Sequence, residues 1–172
     1  MSHSRSLPID KYHVGVICAL PHEMTAMRAM LDDEDDPPQT KDAHDSNSYV
    51  LGRMGQHNVV IACLPVGAYG TNAAATVAKD MLRTFICLRF GLLVGIRGGI
   101  PNLKDGRDIR LGDIVVSQPV DTFGGVVQYD LGKNLGEGRF ERKGSLNSPP
   151  ILLLTALASL QSKSGLRESP IP

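Results

Sequence analysis

Residues His13 to Leu20, HVGVICAL, form an unbroken apolar run rich in valine and isoleucine, the pattern of a strand buried on both faces. Pro21 follows where a first helical turn accepts proline, and Met24, Met27, Met30 and Leu31 then recur at helical spacing. The pattern predicts a strand that runs directly into an amphipathic helix. The acidic run Asp32 to Asp36, the pair Pro37-Pro38 and the polar stretch through Ser48 have nothing to bury and predict a solvated loop. Tyr49 to Arg53 and Val59 to Leu64 bracket Gly55-Gln56-His57-Asn58 and predict a hairpin. In VGAYGTNAAATVAKDMLRTF, Thr71 or Asn72 is placed to cap a helix whose Ala74, Val77, Ala78, Met81, Leu82 and Phe85 form an apolar stripe. Phe90 to Ile96 and Ile114 to Ser117 predict two further strands, and Gly125 to Tyr129 is a third candidate. Ser148-Pro149-Pro150 then opens a last helix over Ile151 to Leu160.

The order strand, helix, hairpin, helix, strand, strand, helix predicts one α/β layered domain with a mixed sheet over residues 12–161. Residues 1–11 and 162–172 lack periodicity and are expected to be a disordered N-terminus and a disordered tail. A chain of 172 residues suffices for one domain with a real core.

Charge narrows the function. Lys plus Arg and Asp plus Glu are 18 each, so the basic excess that nucleic-acid or anionic-membrane binding needs is missing, and a small-molecule ligand is expected. No apolar run reaches membrane-spanning length, and the start of the chain has no apolar signal core, so the expectation is a cytoplasmic protein. Cys18, Cys63 and Cys87 have no metal-ligand spacing and are expected as buried, reduced thiols; no metal is expected.

In α/β sheets ligands bind beyond the carboxyl ends of strands. Three such ends carry unusual residues: Leu20-Pro21-His22-Glu23, Pro65-Val66-Gly67-Ala68-Tyr69-Gly70 and Gly95-Ile96-Arg97-Gly98-Gly99. Glycines there let backbone N–H groups approach a ligand's oxygens. Gly95-x-x-Gly98-Gly99 is not GxGxxG, and Pro101 behind it opposes the helix a dinucleotide site requires. Glu23, on the first turn of a helix, orients and deprotonates a water, binds ribose hydroxyls, or stabilises its own helix start. Arg97 either holds an anion or points outward. Asp113 is expected to close a turn with its own backbone.

VGVICALPHEMTAMRAML, then VGAYGTNAAA, then GLLVGIRGGI followed by RLGDIVVS resemble, in order and spacing, the nucleoside phosphorylase and nucleosidase superfamily. With TFGGVVQYD and GRFERKGSLNSPP, the stretch from Tyr12 to Leu160 looks most like the nucleoside-phosphorylase-like domains at the N-termini of fungal NLR-type signalling proteins. The resemblance implies a three-layer α/β/α sandwich around a mixed sheet, incomplete at the C-terminus. It also implies cleavage of the N-glycosidic bond of purine nucleosides, with no cofactor and with phosphate or water as co-substrate. Glu23 falls on the position of the nucleosidases' water-orienting glutamate, Gly67 on the glycine loop near the nucleophile, and Gly95, Ile96, Arg97 and Gly98 on the loop lining the base and ribose pocket. Leu-Pro-His-Glu and Leu93-Val94 stand where phosphorylases place phosphate-holding arginines, which favours water as nucleophile. Arg97 stands where the family has a small residue. No residue matches the family's ribose-binding Met-Glu or its purine-protonating Asp, which lie in the last third of that domain. The alternative to an enzyme is a catalytically inactive nucleoside-sensing or assembly module. An open sheet edge would also make a homo-oligomer a possible partner state.

Overall fold

The structure is a computed structural model that describes residues 5–105 and 108–168. The chain divides into two units, one ending at Gly98 and the other starting at Gly99.

The first unit is built on a five-stranded mixed sheet. Its elements are β1 (Val14–Cys18), α1 (Pro21–Ala29), β2 (Asp33–Asp35), β3 (Tyr49–Met54), β4 (His57–Cys63), α2 (Thr71–Thr84) and β5 (Phe90–Leu93). The sheet order is β2-β3-β4-β1-β5, with β1 parallel to both β4 and β5 and the β2-β3-β4 portion antiparallel. The connections β1 to β4 and β4 to β5 cross the sheet in opposite directions, so right-handed crossovers require their helices on opposite faces. The side chains agree. Val14, Val16 and Cys18 of β1 and Val59 and Ile61 of β4 pack with Met24, Met27 and Leu31 on the α1 face. Val60 and Ala62 pack with Val77, Met81 and Phe85 on the α2 face. Strand alternation thus splits one continuous apolar run between two cores, which makes the three-layer α/β/α sandwich.

Several expectations change here. The acidic run is not a loop: Asp33–Asp35 forms β2 on the free edge of β3. Each carboxylate finds a cation, Asp33 with Arg53, Glu34 with Arg28 and Asp35 with Arg5. The N-terminus is ordered from Arg5 onward, because Arg5 fixes the buried Asp35 in a two-pronged ion pair while Leu7 and Ile9 pack against the core; residues 1–4 lie outside the described ones. Helix α2 begins at Thr71 with Gly70 as its N-cap and no side-chain cap, Gly70 having φ 89°. The apolar stripe holds for Val77, Met81 and Phe85, but Leu82 is exposed. The predicted hairpin forms β3 and β4, with Gly55 at φ 62° in its turn and the Gly55 N–H donated to the Asp32 carboxylate at 2.6 Å.

The second unit has a short 3-10 helix at Leu103–Asp105, a hairpin of β6 (Gly132–Gly136) and β7 (Arg139–Arg142), and α3 (Ile151–Glu168). The predicted strand Ile114 to Ser117 is irregular and its Ile114, Val115 and Val116 are exposed, since among the described residues no strand pairs with it. Gly125 to Tyr129 likewise forms no strand. Asp113 does close a turn, accepting the Arg110 N–H at 2.8 Å. Helix α3 runs past Leu160 to Glu168, because Ser, Lys, Leu, Arg and Glu all tolerate helix and the single Gly165 costs only about 1 kcal/mol; residues 169–172 lie outside the described ones. The Arg142 guanidinium stacks on the Phe123 ring at 4.9 Å beside a cavity of about 90 Å³. Among the described residues no helix is long and apolar enough to cross a membrane.

Candidate functional site

Parallel pairing of β1 with β4 and β5 sends three strand ends to one edge of the first unit's sheet. Cys18 is level with Cys63, and Ile17 with Leu93. The three glycine- and proline-marked stretches singled out from the sequence therefore leave the sheet side by side.

At their centre is Glu23. Leu20 is the N-cap of α1, Pro21 opens its first turn, and Glu23 stands three residues past the cap, so its side chain turns back toward the strand end. Oε2 accepts the Ala19 N–H at 2.8 Å and the Leu20 N–H at 2.9 Å. Oε1 accepts the Ile96 N–H at 2.8 Å from the loop after β5. The residue is 5% exposed. Burial pushes the carboxyl up, but the amides of Ile96, Leu20 and Ala19 outweigh it and hold the group below its ordinary value. Glu23 is therefore an anion in a cradle of backbone donors. Oε2 has both acceptor sites filled, while Oε1 keeps one for a further donor.

Gly95 leaves room for this geometry, since a Cβ there would stand 2.7 Å from Glu23 Oε1 and force the carboxylate to shift. The structure thus joins Glu23, Gly95 and Ile96. It leaves the other predicted site residues further out. Gly67 occupies its own turn at φ 81°, in the segment where Ala68 N–H is donated to Pro65 O, and no hydrogen bond joins it to Glu23. Arg97 and Gly98 are exposed, and Arg97 has no ion-pair partner among the described residues. Ile96 is 65% exposed, so this residue contributes its amide to the cradle while remaining open to solvent.

Sequence reasoning missed the amides of Ala19, Leu20 and Ile96, as backbone groups leave no residue-type signal. The spacing Leu-Pro-His-Glu held the clue, because a glutamate three residues after a helix start reaches back to the cap. It also missed that Cys18 and Cys63 flank the cradle. Burial, the neighbouring Cys63 and Glu23 push the Cys18 thiol up to about 11, and burial and Glu23 raise Cys63 as well.

A nucleotide-binding leucine-rich repeat (NLR)-like protein of Hyaloscypha variabilis is 55% identical over 157 residues, which is 91% of this chain and 15% of that protein. A protein of Mycobacterium bovis named 5'-methylthioadenosine/S-adenosylhomocysteine nucleosidase is 31% identical over 123 residues, 69% of this chain and 39% of that enzyme. The Mycobacterium tuberculosis protein of the same name matches equally. The chain therefore spans well under half the length of these relatives. No family model matches it, and no solved structure does. With its mixed α/β sheet, these likenesses make the chain a relative of the nucleoside phosphorylase and nucleosidase superfamily.

Proposed function

We propose that the chain supplies the nucleophile-side half of a site that cleaves the N-glycosidic bond of a purine nucleoside, with Glu23 acting on the nucleophile. The observation that carries this reading is the cradle: an ionised, nearly buried carboxylate fixed by Ala19, Leu20 and Ile96, with one Oε1 acceptor site left. Such a group orients a water by accepting one of its protons, without losing position as the reaction proceeds. The water oxygen bonds to C1' as the bond from C1' to the base breaks, and the oxocarbenium character between those events is stabilised by the nearby anion. The departing base gains a proton and the ribosyl carbon a hydroxyl. Gly95, Ile96, Arg97 and Gly98 would border the nucleoside, and Gly67 the nucleophile. The two nucleosidases 31% identical to the chain support an adenosine-type substrate.

The test is base release by the purified chain from adenosine, inosine and 5'-methylthioadenosine, in phosphate and in phosphate-free buffer. Release in phosphate-free buffer that Glu23→Gln abolishes, with nucleoside affinity kept within a few-fold, supports the reading. Release that needs phosphate would replace water by phosphate as nucleophile. Absence of release by a folded wild-type chain overturns catalysis by these residues.

A second reading, a nucleoside-sensing or assembly module, is favoured by the 55% identity over 91% of the chain to an NLR-like protein. Under it nucleosides raise the unfolding midpoint by linkage, without base release.

A further inference from the structure

Cys18 and Cys63 are the last residues of β1 and β4, and they are direct partners in the parallel register. Both side chains lie on the α1 face, Cys18 within the buried cluster of Val14, Val16, Val59 and Ile61, and Cys63 packed against that cluster. Neighbouring strands lie about 4.7–4.9 Å apart. That spacing falls within the Cα separation of about 4.4–6.8 Å that a disulfide spans. The two thiols differ in access: Cys18 is fully buried and Cys63 partly exposed. Cys87 lies elsewhere, in the turn between α2 and β5.

We infer that Cys18 and Cys63 form an oxidisable dithiol, which a peroxide converts to an intramolecular disulfide at the base of the Glu23 cradle. The partly exposed Cys63 reacts first. Its thiolate sulfur bonds to one peroxide oxygen, the O–O bond breaks, and the other oxygen leaves as water with the displaced proton, giving a sulfenic acid. The Cys18 sulfur then attacks the Cys63 sulfur; the S–S bond forms, the S–OH bond breaks, and hydroxide leaves with the Cys18 proton as water. Two thiols and one hydrogen peroxide become one disulfide and two waters. The bond ties β1 to β4 immediately before Ala19, which donates to Glu23, and Leu64, whose N–H is already bonded to Cys18 O at 2.9 Å. Burial disfavours the thiolate form of both residues, so closure is slow and needs peroxide in excess. The inference rests on strand register and is independent of the nucleoside reading.

The experiment treats the folded full chain with hydrogen peroxide, alkylates remaining thiols after unfolding, and maps the peptides by mass spectrometry. The expected result is a peptide pair joined through Cys18 and Cys63, lighter by two hydrogens and released by reductant, with Cys87 alkylated. Cys87→Ala should give the same linked pair, and Cys63→Ser should leave Cys18 alkylated. Cys18 and Cys63 both recovered as alkylated thiols would overturn the inference. So would Cys63 recovered as sulfinic acid with Cys18 free, or a linkage that uses Cys87.

Discussion

Glu23 Oε1 accepts the Ile96 amide at 2.8 Å across 73 positions of sequence, binding the first helix of the fold to the loop that follows β5. The same carboxylate caps its own helix through Leu20. One side chain thus serves as helix cap, as strap for a glycine loop and as the candidate catalytic anion.

A stability prediction follows from that overlap. Glutamine at position 23 keeps the shape but turns an amide NH₂ toward backbone N–H groups, leaving at least one buried donor unpaired. Glu23→Gln should cost about 1–3 kcal/mol. The pH dependence has a definite sign. The folded carboxyl sits below its ordinary value of 4.5, so between those values the unfolded chain binds more protons and stability rises with pH. The contribution is present above about 4.5 and lost as pH falls through the folded value. Denaturant melts of wild type and Glu23→Gln from neutral pH downward should therefore converge in acid. A constant gap at every pH would show that the charge plays no part.

Gly95 and Gly98 make a controlled pair. A Cβ at Gly95 would stand 2.7 Å from Glu23 Oε1 and 3.1 Å from its Cδ, whereas one at Gly98 meets nothing within 4 Å. Gly95→Ala should cost about 1–3 kcal/mol as the carboxylate is pushed off its amides. Gly98→Ala should stay within about 0.5 kcal/mol of wild type. Thermal unfolding of both variants checks this, and equal effects would mean that loop flexibility, not the Glu23 contact, decides the outcome.

The N-terminal segment offers a third test. Arg5 Nε and Nη2 donate to Asp35 at 2.7 and 3.0 Å, and Tyr12 Oη donates to the same carboxylate at 2.8 Å. Burial raises the Asp35 carboxyl, but Arg5 and Tyr12 outweigh it and hold it low. Arg5 is partly exposed, so water softens its loss, and Arg5→Ala should cost about 1–3 kcal/mol. Deleting residues 1–9 should cost more, because Leu7 and Ile9 leave the core with it. Denaturant midpoints of the two variants measure both effects. A neutral deletion would restore the disordered N-terminus that the sequence predicts.

What the sequence made legible is the part carried by period and punctuation. The run HVGVICAL, the bracketed hairpin and the Val77-Met81-Phe85 stripe specify a doubly covered sheet with little help from long-range partners. The strand ends were legible for the same reason, since proline and glycine mark where a chain leaves a sheet. Asp33 to Asp35 was not, because an edge strand is held by backbone bonds and by Arg53 and Arg5, 20 and 30 positions away from their carboxylates. Ile114 to Ser117 failed in the opposite way: its apolar run matches a buried strand, yet a strand also needs a neighbour, which no local pattern supplies. In the site, residue type announced Glu23, but the three donors that define its charge are main-chain groups common to every residue except proline.

The last prediction separates two glycines that look alike in the sequence, each inside a strand. A Cβ at Gly15 would stand 2.9 Å from Met81 Sδ and 3.4 Å from Leu88 Cδ1, both ends of flexible side chains. A Cβ at Gly52 would stand 2.5 Å from the backbone oxygen of Asp33, on the paired strand β2, as well as 2.7 Å from Leu31 Cδ1. Methionine moves by changing rotamer, at little cost. A ladder carbonyl moves only if the strand moves. Gly15→Ala should therefore lie within about 1 kcal/mol of wild type, since alanine also gains by restricting the unfolded chain by about 0.4–1 kcal/mol. Gly52→Ala should lose about 1–3 kcal/mol and loosen β2 from β3. Amide hydrogen exchange reads the difference directly: protection at the β2 backbone should fall in Gly52→Ala and persist in Gly15→Ala. If both variants keep β2 protected, that strand is held by the Asp33–Arg53 and Asp35–Arg5 ion pairs more than by its ladder, and Arg53→Ala becomes the substitution that should release it.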